Sequence, residues 1–212
     1  MHRVRAGAYL IQAIIGSVLI GTTLYMTLHL QLVLGMAPLM AGLATVVMTV
    51  STLVVVPVFT RLLAVSGPRP LMVGGPLLAA AGMVWLGRIT ADGNYVTQML
   101  PGLILLGAGI GITFVPLQNL ALIGVAPADA GAASATVNAS MQLGGSVGLS
   151  LFALVAASAT ATAQSAGEGI SASLAAGYGL VFTSAAIALL VAAVVAFVCI
   201  RGTKEGLMPS HA

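Results

Sequence analysis

Ala133-Ser134-Ala135-Thr136-Val137-Asn138-Ala139-Ser140-Met141-Gln142-Leu143-Gly144-Gly145-Ser146-Val147-Gly148 is the stretch whose reading decides the fold. Ser134, Asn138, Gln142 and Ser146 recur at every fourth position within an apolar run, a spacing that stacks them along one face of a helix. In hydrocarbon such groups are costly unless they meet a partner or water, so the stripe predicts a packing seam or a pathway. Gly144 and Gly148 add the small-xxx-small spacing that lets two helices approach closely.

The surrounding composition points the same way. The 212 residues are 59% hydrophobic and only 5% charged, with a mean hydropathy of +1.14, whereas soluble domains carry about 25% charged residues. So few charges cannot cover a surface in water. The fold class is therefore an all-α polytopic membrane protein, with the lipid bilayer as its main partner. The formal net charge of +3 comes from basic residues scattered through loops, which form no patch for nucleic acid. A single cysteine, Cys199, excludes an internal disulfide and any cysteine-based metal site, and it reads as a small apolar residue near a helix end. No metal or cofactor is expected. The basic start Met1-His2-Arg3-Val4-Arg5 superficially resembles a signal peptide. However, the apolar run behind it reaches about Leu34, well beyond the ~7–15 residues of a signal core, and predicts a spanning helix.

Six apolar runs reach or approach the ~20 residues needed to cross the hydrocarbon. They cover about Gly7 to Leu34, Leu39 to Leu63, Leu71 to Gly87, Leu100 to Gly124, Ala132 to Ala157 and Ala176 to Ile200, and form one bundle over residues 1–212. At ~1.5 Å per residue the first would reach ~40 Å, so it tilts or bends. Gly35 to Pro38 makes a tight turn, Pro57 a kink, and Trp85 an interfacial anchor. The small-residue stretch Ser158 to Ala175, holding Glu168, reads as a long loop. Arg3, Arg5, Arg61, Arg69, Arg201 and Lys204 fall on one side of this layout and Arg88 alone on the other, which places both termini in the cytoplasm. The four carboxylates, Asp92, Asp129, Glu168 and Glu205, all lie in loops or the tail. His29 is the one imidazole within a span, expected to touch water near its outer end.

Three motifs do not survive their context. Gly144-Gly145-Ser146-Val147-Gly148 fits the G-x-S-x-G pattern of serine hydrolases, but that chemistry needs a strand-to-helix elbow with histidine and acid partners. An intramembrane serine protease would need a histidine on a late helix, and the fifth and sixth runs have none, so no catalytic residue is assigned and the chain is not read as an enzyme. Gly107-Ala108-Gly109-Ile110-Gly111 follows no soluble strand and lacks the downstream acid of a dinucleotide loop; Gly107 and Gly111 are read as close-packing positions. Asn138-Ala139-Ser140 fits a glycosylation sequon but lies at membrane depth. Within the polar stripe, the hydroxyls of Ser134 and Ser146 can bond their own backbone and serve equally as glue. The amides of Asn138 and Gln142 offer more donors and acceptors than a helix backbone can satisfy, which favours a cavity-facing role.

Four stretches in order carry a family resemblance: Tyr25 to Gly35 with Ala37-Pro38-Leu39-Met40-Ala41-Gly42-Leu43; Ser66-Gly67-Pro68-Arg69-Pro70-Leu71; Pro101 to Gly107 running on to Pro116; and Pro127 to Ser134 followed by Asn138 to Gly148. Together they resemble the carboxy-terminal half of the major facilitator superfamily, specifically the multidrug/proton antiporters of the EmrB/QacA type. The resemblance implies export of small amphipathic organic molecules across the cell membrane by alternating access, with protons as the coupling ion. It also implies a second six-helix half, supplied by a missing amino-terminal half or by a second copy, because such sites lie between two bundles. On this reading Asn138, Gln142, Gln12, Thr22, Tyr25 and His29 are the candidates for the substrate cavity, and Arg61 and Arg69 form a cytoplasmic latch. Met141 stands where many relatives carry Arg or Gln, and no spanning carboxylate is available to take a proton. The alternative is a truncated, non-transporting remnant of such a transporter.

Overall fold

In the computed structural model, residues 2–122 and 124–200 are described, and they form six long helices. These are α1 (His2–Leu28), α2 (Pro38–Ser66), α3 (Pro68–Leu86), α4 (Leu100–Ala121), α5 (Ala130–Ser165) and α6 (Ile170–Cys199). All six are long and apolar enough to span a bilayer. Arg201, Lys204 and Glu205 of the polar tail lie outside the described residues.

The ends follow local chemistry. A π-helical turn, His29–Val33, extends α1, and Gly35 (φ +66°) ends it in a left-handed conformation open to glycine at little cost. Pro38 and Pro68 open α2 and α3 at positions where a missing N–H costs nothing. Only Gly67 (φ +76°) separates these two helices, and α2 runs through Pro57 without interruption. A second π-helical turn, Tyr95–Met99, leads into α4; the Asn94 side chain caps it by accepting from the Val96 N–H at 2.8 Å.

The predicted loop 158–175 is corrected. Helix continues to Ser165 and resumes at Ile170, leaving four residues between. Ala166 N–H donates to the Thr162 carbonyl and Glu168 N–H to the Ala163 carbonyl, both at 3.1 Å, which closes α5 around Gly167 (φ +88°). Ser158, Thr162 and Ser165 donate to carbonyls one turn back, so their hydroxyls sit comfortably on the helix surface. At 36 residues α5 is about 54 Å long, so its polar last turns extend beyond a hydrocarbon core of about 30 Å.

One buried cluster joins all six helices, with Ile11, Met26, Met72, Met83, Leu103, Leu117, Val137 and Phe182 among its members. α1 packs on α5 and α6, α3 on α4 and α6, and α2 on α4. Two helices are left comparatively bare. Only 6% of the most apolar window of α2 and 22% of that of α5 are buried, against 44–61% for the others.

Candidate functional site

The exposed face of α5 carries the polar stripe. Ser134, Asn138, Gln142, Ser146 and Ser150 run along it in a row flanked by exposed Leu143, Val147, Leu151 and Leu154. The serine hydroxyls are occupied locally: Ser146 donates to the Gln142 carbonyl and Ser150 to the Ser146 carbonyl, each at 3.0 Å. Asn138 Nδ2 donates to the Ser134 carbonyl at 3.2 Å, which uses one of its N–H groups and leaves Oδ1 free to accept. The Gln142 side chain has no protein partner among the described residues. This face therefore offers two amides in an apolar surround.

The opposite face of the same helix is locked to α1. A Cβ on Gly144 would overlap the Ala13 carbonyl, one on Gly148 the Ser17 side chain, and one on Gly16 of α1 the Met141 carbonyl. The close approach brings Ser17 Oγ within 2.6 Å of the Gly144 carbonyl, to which it donates. An equivalent seam joins α2 and α4. There a Cβ on Gly107 would overlap the Met48 carbonyl, one on Gly111 would meet the Thr52 carbonyl at 3.0 Å, and Thr52 Oγ1 donates to the Gly107 carbonyl at 2.8 Å. Ser51 Oγ adds a bond to the Ile104 carbonyl at 2.8 Å. Ser17, Ser51 and Thr52 were not among the sequence candidates. For Ser17 the signal is the row of small residues Ala13, Ser17 and Gly21 on α1, at the same four-residue spacing as Gly144 and Gly148; no such row marks Ser51 and Thr52.

The candidates on α1 lie elsewhere. Gln12, Thr22 and His29 are each 1% exposed and Tyr25 is 6% exposed, all within the bundle rather than on the face that Asn138 and Gln142 share. Gln12 Nε2 lies 3.4 Å from Met141 Sδ, and its Oε1 is buried without a partner. Thr22 Oγ1 reaches Met83 Sδ at 3.6 Å. His29 does not touch water, contrary to expectation. The π-helical turn it opens packs against α6, its ring sits edge-on to Tyr178 with centroids 6.4 Å apart, and neither ring nitrogen has a partner. Tyr25 packs on the same Tyr178 at 5.5 Å.

Arg61 and Arg69, the expected latch, diverge. Arg69 stacks its guanidinium on Phe197 of α6, 5.0 Å from the ring centroid, while exposed Arg61 lines a groove whose five wall residues all belong to α2. Among the described residues, no three His, Cys, Asp or Glu side chains gather into a set that could hold a metal ion.

No family model matches the chain. It is 40% identical over 153 residues to the puromycin resistance protein pur8 of Streptomyces alboniger, which covers 71% of this chain and 30% of that protein. It is 35% identical over 174 residues to the cephamycin export protein CmcT of Amycolatopsis lactamdurans, covering 80% of this chain and 34% of that protein. It is 33% identical over 134 residues to the multidrug efflux pump LfrA of Mycolicibacterium smegmatis, covering 61% and 26%. The chain thus spans about a third of the length of the curated relatives it matches. It is a multi-pass protein of the cell membrane, and its relatives are resistance, export and efflux proteins.

Proposed function

We propose that this chain forms one six-helix half of a drug exporter of the major facilitator superfamily, of the EmrB/QacA antiporter type. The observation that carries the reading is the exposed Asn138–Gln142 face of α5, backed by a seam to α1 too tight to open at little cost. The unpartnered amide of Gln142 and the free Oδ1 of Asn138 would be costly facing hydrocarbon, whereas facing a water-filled cavity they are solvated and can bond a substrate. The apolar residues around them would take the hydrophobic body of an amphipathic drug. Because the face is open, it needs an opposite wall, supplied by an amino-terminal half or by a second copy. Alternating access would then move each bundle as a body about the site between them. The relatives' printed activities, resistance and export of antibiotics, support this substrate class. In this scheme both termini face the cytoplasm and protons supply the driving force.

Thiol accessibility tests the reading. In a Cys199→Ser background, Asn138→Cys and Gln142→Cys are expected to react with a membrane-impermeant maleimide in native membranes. Val194→Cys, on the apolar outer face of α6, is expected not to react. If Asn138→Cys and Gln142→Cys are as unreactive as Val194→Cys, the stripe faces lipid and the cavity reading fails.

A further inference from the structure

We infer that the groove between the beginning of α1 and the end of α6 is a binding site for an anionic membrane phospholipid. The groove has a volume of about 570 Å³ and is walled by Val4, Ala6, Gly7, Leu10, Val198 and Cys199, with Arg3 as its one charged residue. Its floor is a helix contact, since a Cβ on Gly7 would lie 2.7 Å from Cys199 Cβ. Its open side is apolar: Leu10 is 50% and Val198 51% exposed. Val198 also ends an exposed apolar row on α6 that includes Ile187, Leu190, Val191 and Val194. A row of that kind, with no polar group, belongs against acyl chains.

Arg3 stands one helical turn beyond Gly7, toward the end of the bundle where headgroups lie. Arg69, at the same end, is already engaged with Phe197. Arg3 has no carboxylate partner among the described residues. Of the described carboxylates, Asp92 and Glu168 lie at the other end of the bundle, and Asp129, before α5, is the one at the Arg3 end, outnumbered there by Arg3, Arg5, Arg61 and Arg69. Arg5 and Arg61 share the Arg3 end, so the local field is positive. One lipid satisfies both halves of the groove: a phosphate accepts from the Arg3 guanidinium while an acyl chain lies against Leu10 and Val198. A soluble anion would leave the apolar walls uncovered, and a neutral lipid would leave the arginine without a counter-charge. The Arg61 groove shares the pattern, but its walls come from α2 alone and give a chain nothing to lie between.

Native mass spectrometry of the full chain in detergent tests this, with equal amounts of phosphatidylglycerol and phosphatidylcholine added. The wild-type chain is expected to retain phosphatidylglycerol preferentially. Arg3→Gln is expected to lower that retention about fivefold, the factor set by about 1 kcal/mol per basic group at an anionic membrane surface. Ala6→Phe, which fills the groove from its exposed rim, is expected to lower it as well, and Arg5→Gln to leave it within about twofold. Several results overturn the assignment: equal retention of the two lipids, no effect of Arg3→Gln, or an equal effect of Arg5→Gln. Displacement of the lipid by millimolar inorganic phosphate with no effect of Ala6→Phe would show a soluble-anion site instead, and would equally overturn it.

Discussion

Replacing Gly144 by alanine is the sharpest perturbation of the α1–α5 seam. The added Cβ would overlap the Ala13 carbonyl oxygen and lie 2.5 Å from both its carbonyl carbon and Cα. These are backbone atoms, so no side chain can swing aside and the two helices must move apart. Three terms set the size of the effect. Overpacking costs about 1–3 kcal/mol, and the stretched Ser17–Gly144 bond loses about 0.6 kcal/mol, the average for an interhelical bond in a membrane. Against them, alanine is better than glycine in a helix by up to about 1 kcal/mol. With the full propensity gain set against them, the net expectation is a loss of about 0.6–2.6 kcal/mol. Gly42→Ala and Gly74→Ala are the matched controls, because a Cβ at either position meets nothing within 4 Å. They should gain up to about 1 kcal/mol from propensity alone. Unfolding by sodium dodecyl sulfate in mixed micelles, followed by the fluorescence of the single tryptophan Trp85, reads the difference. If Gly144→Ala unfolds at the same detergent fraction as Gly42→Ala, the seam is not close-packed and the reasoning is wrong.

Other outcomes follow from the same geometry. Gly107→Ala should lose a comparable amount at the α2–α4 seam, and Thr52→Val, which keeps the shape but removes the bond to Gly107, should lose about 0.6 kcal/mol in the same unfolding assay. His29→Phe should be neutral or stabilising by about 1 kcal/mol, since it replaces an imidazole with two unpaired buried nitrogens by an apolar ring; a clear loss of stability would show that His29 has a partner. Gly167→Ala should lower stability by about 1 kcal/mol, because alanine is strained at φ +88°, although nothing crowds a side chain there. That variant separates backbone strain from packing when set beside Gly144→Ala.

The six spans were legible because repeated apolar runs of membrane length, almost free of charge, suit a bilayer and little else. Their breakers (Gly35, Pro38, Gly67 and Pro68) stand where the helices end. The 158–175 stretch was not legible, because alanine, serine and threonine show little hydropathy contrast while each supports a helix beyond the hydrocarbon. Along α5 the spacing of four places Asn138 and Gln142 on one face, and both are exposed in the structure. On α1 the spacing sets Thr22, Tyr25 and His29 on one face, with Gln12 about a quarter-turn away, but sequence cannot say whether that face of a nearly all-apolar helix turns into the bundle or toward a cavity. The structure turns all four into the bundle. The bonding of the seam hydroxyls was hard to read for a related reason: Ser17 and Thr52 each lie 3.0 Å from a carbonyl of their own helix, and only the nearer carbonyl of the neighbour, at 2.6 and 2.8 Å, shows that the single hydroxyl proton serves the seam.

The two seams bear on how such a bundle could move. In each, a glycine carbonyl accepts from a hydroxyl across the contact while a second glycine one turn on holds the spacing. The helices so fastened, α5 to α1 and α2 to α4, include the two that bury least of their own surface. The bare helices are thus held by backbone contact of the kind that also joins the well-buried α3 and α4, where Gly75, Gly82, Gly102 and Gly109 bring the two backbones together. An exposed helix held only by apolar side chains would slide or tilt freely in lipid, since lipid tails are as apolar as leucine and no hydrophobic force opposes the motion. Close backbone contact with a directed bond removes that freedom. Asn138 and Gln142 are then carried on a helix that cannot shift independently of α1, so a displacement of either amide must displace the whole bundle. This makes rigid-body rocking, rather than bending of α5, the motion compatible with the proposed site. The distance between spin labels at Asn138→Cys and at Leu10→Cys, on the exposed face of α1, should therefore stay constant through the transport cycle, whereas a flexible α5 would change it.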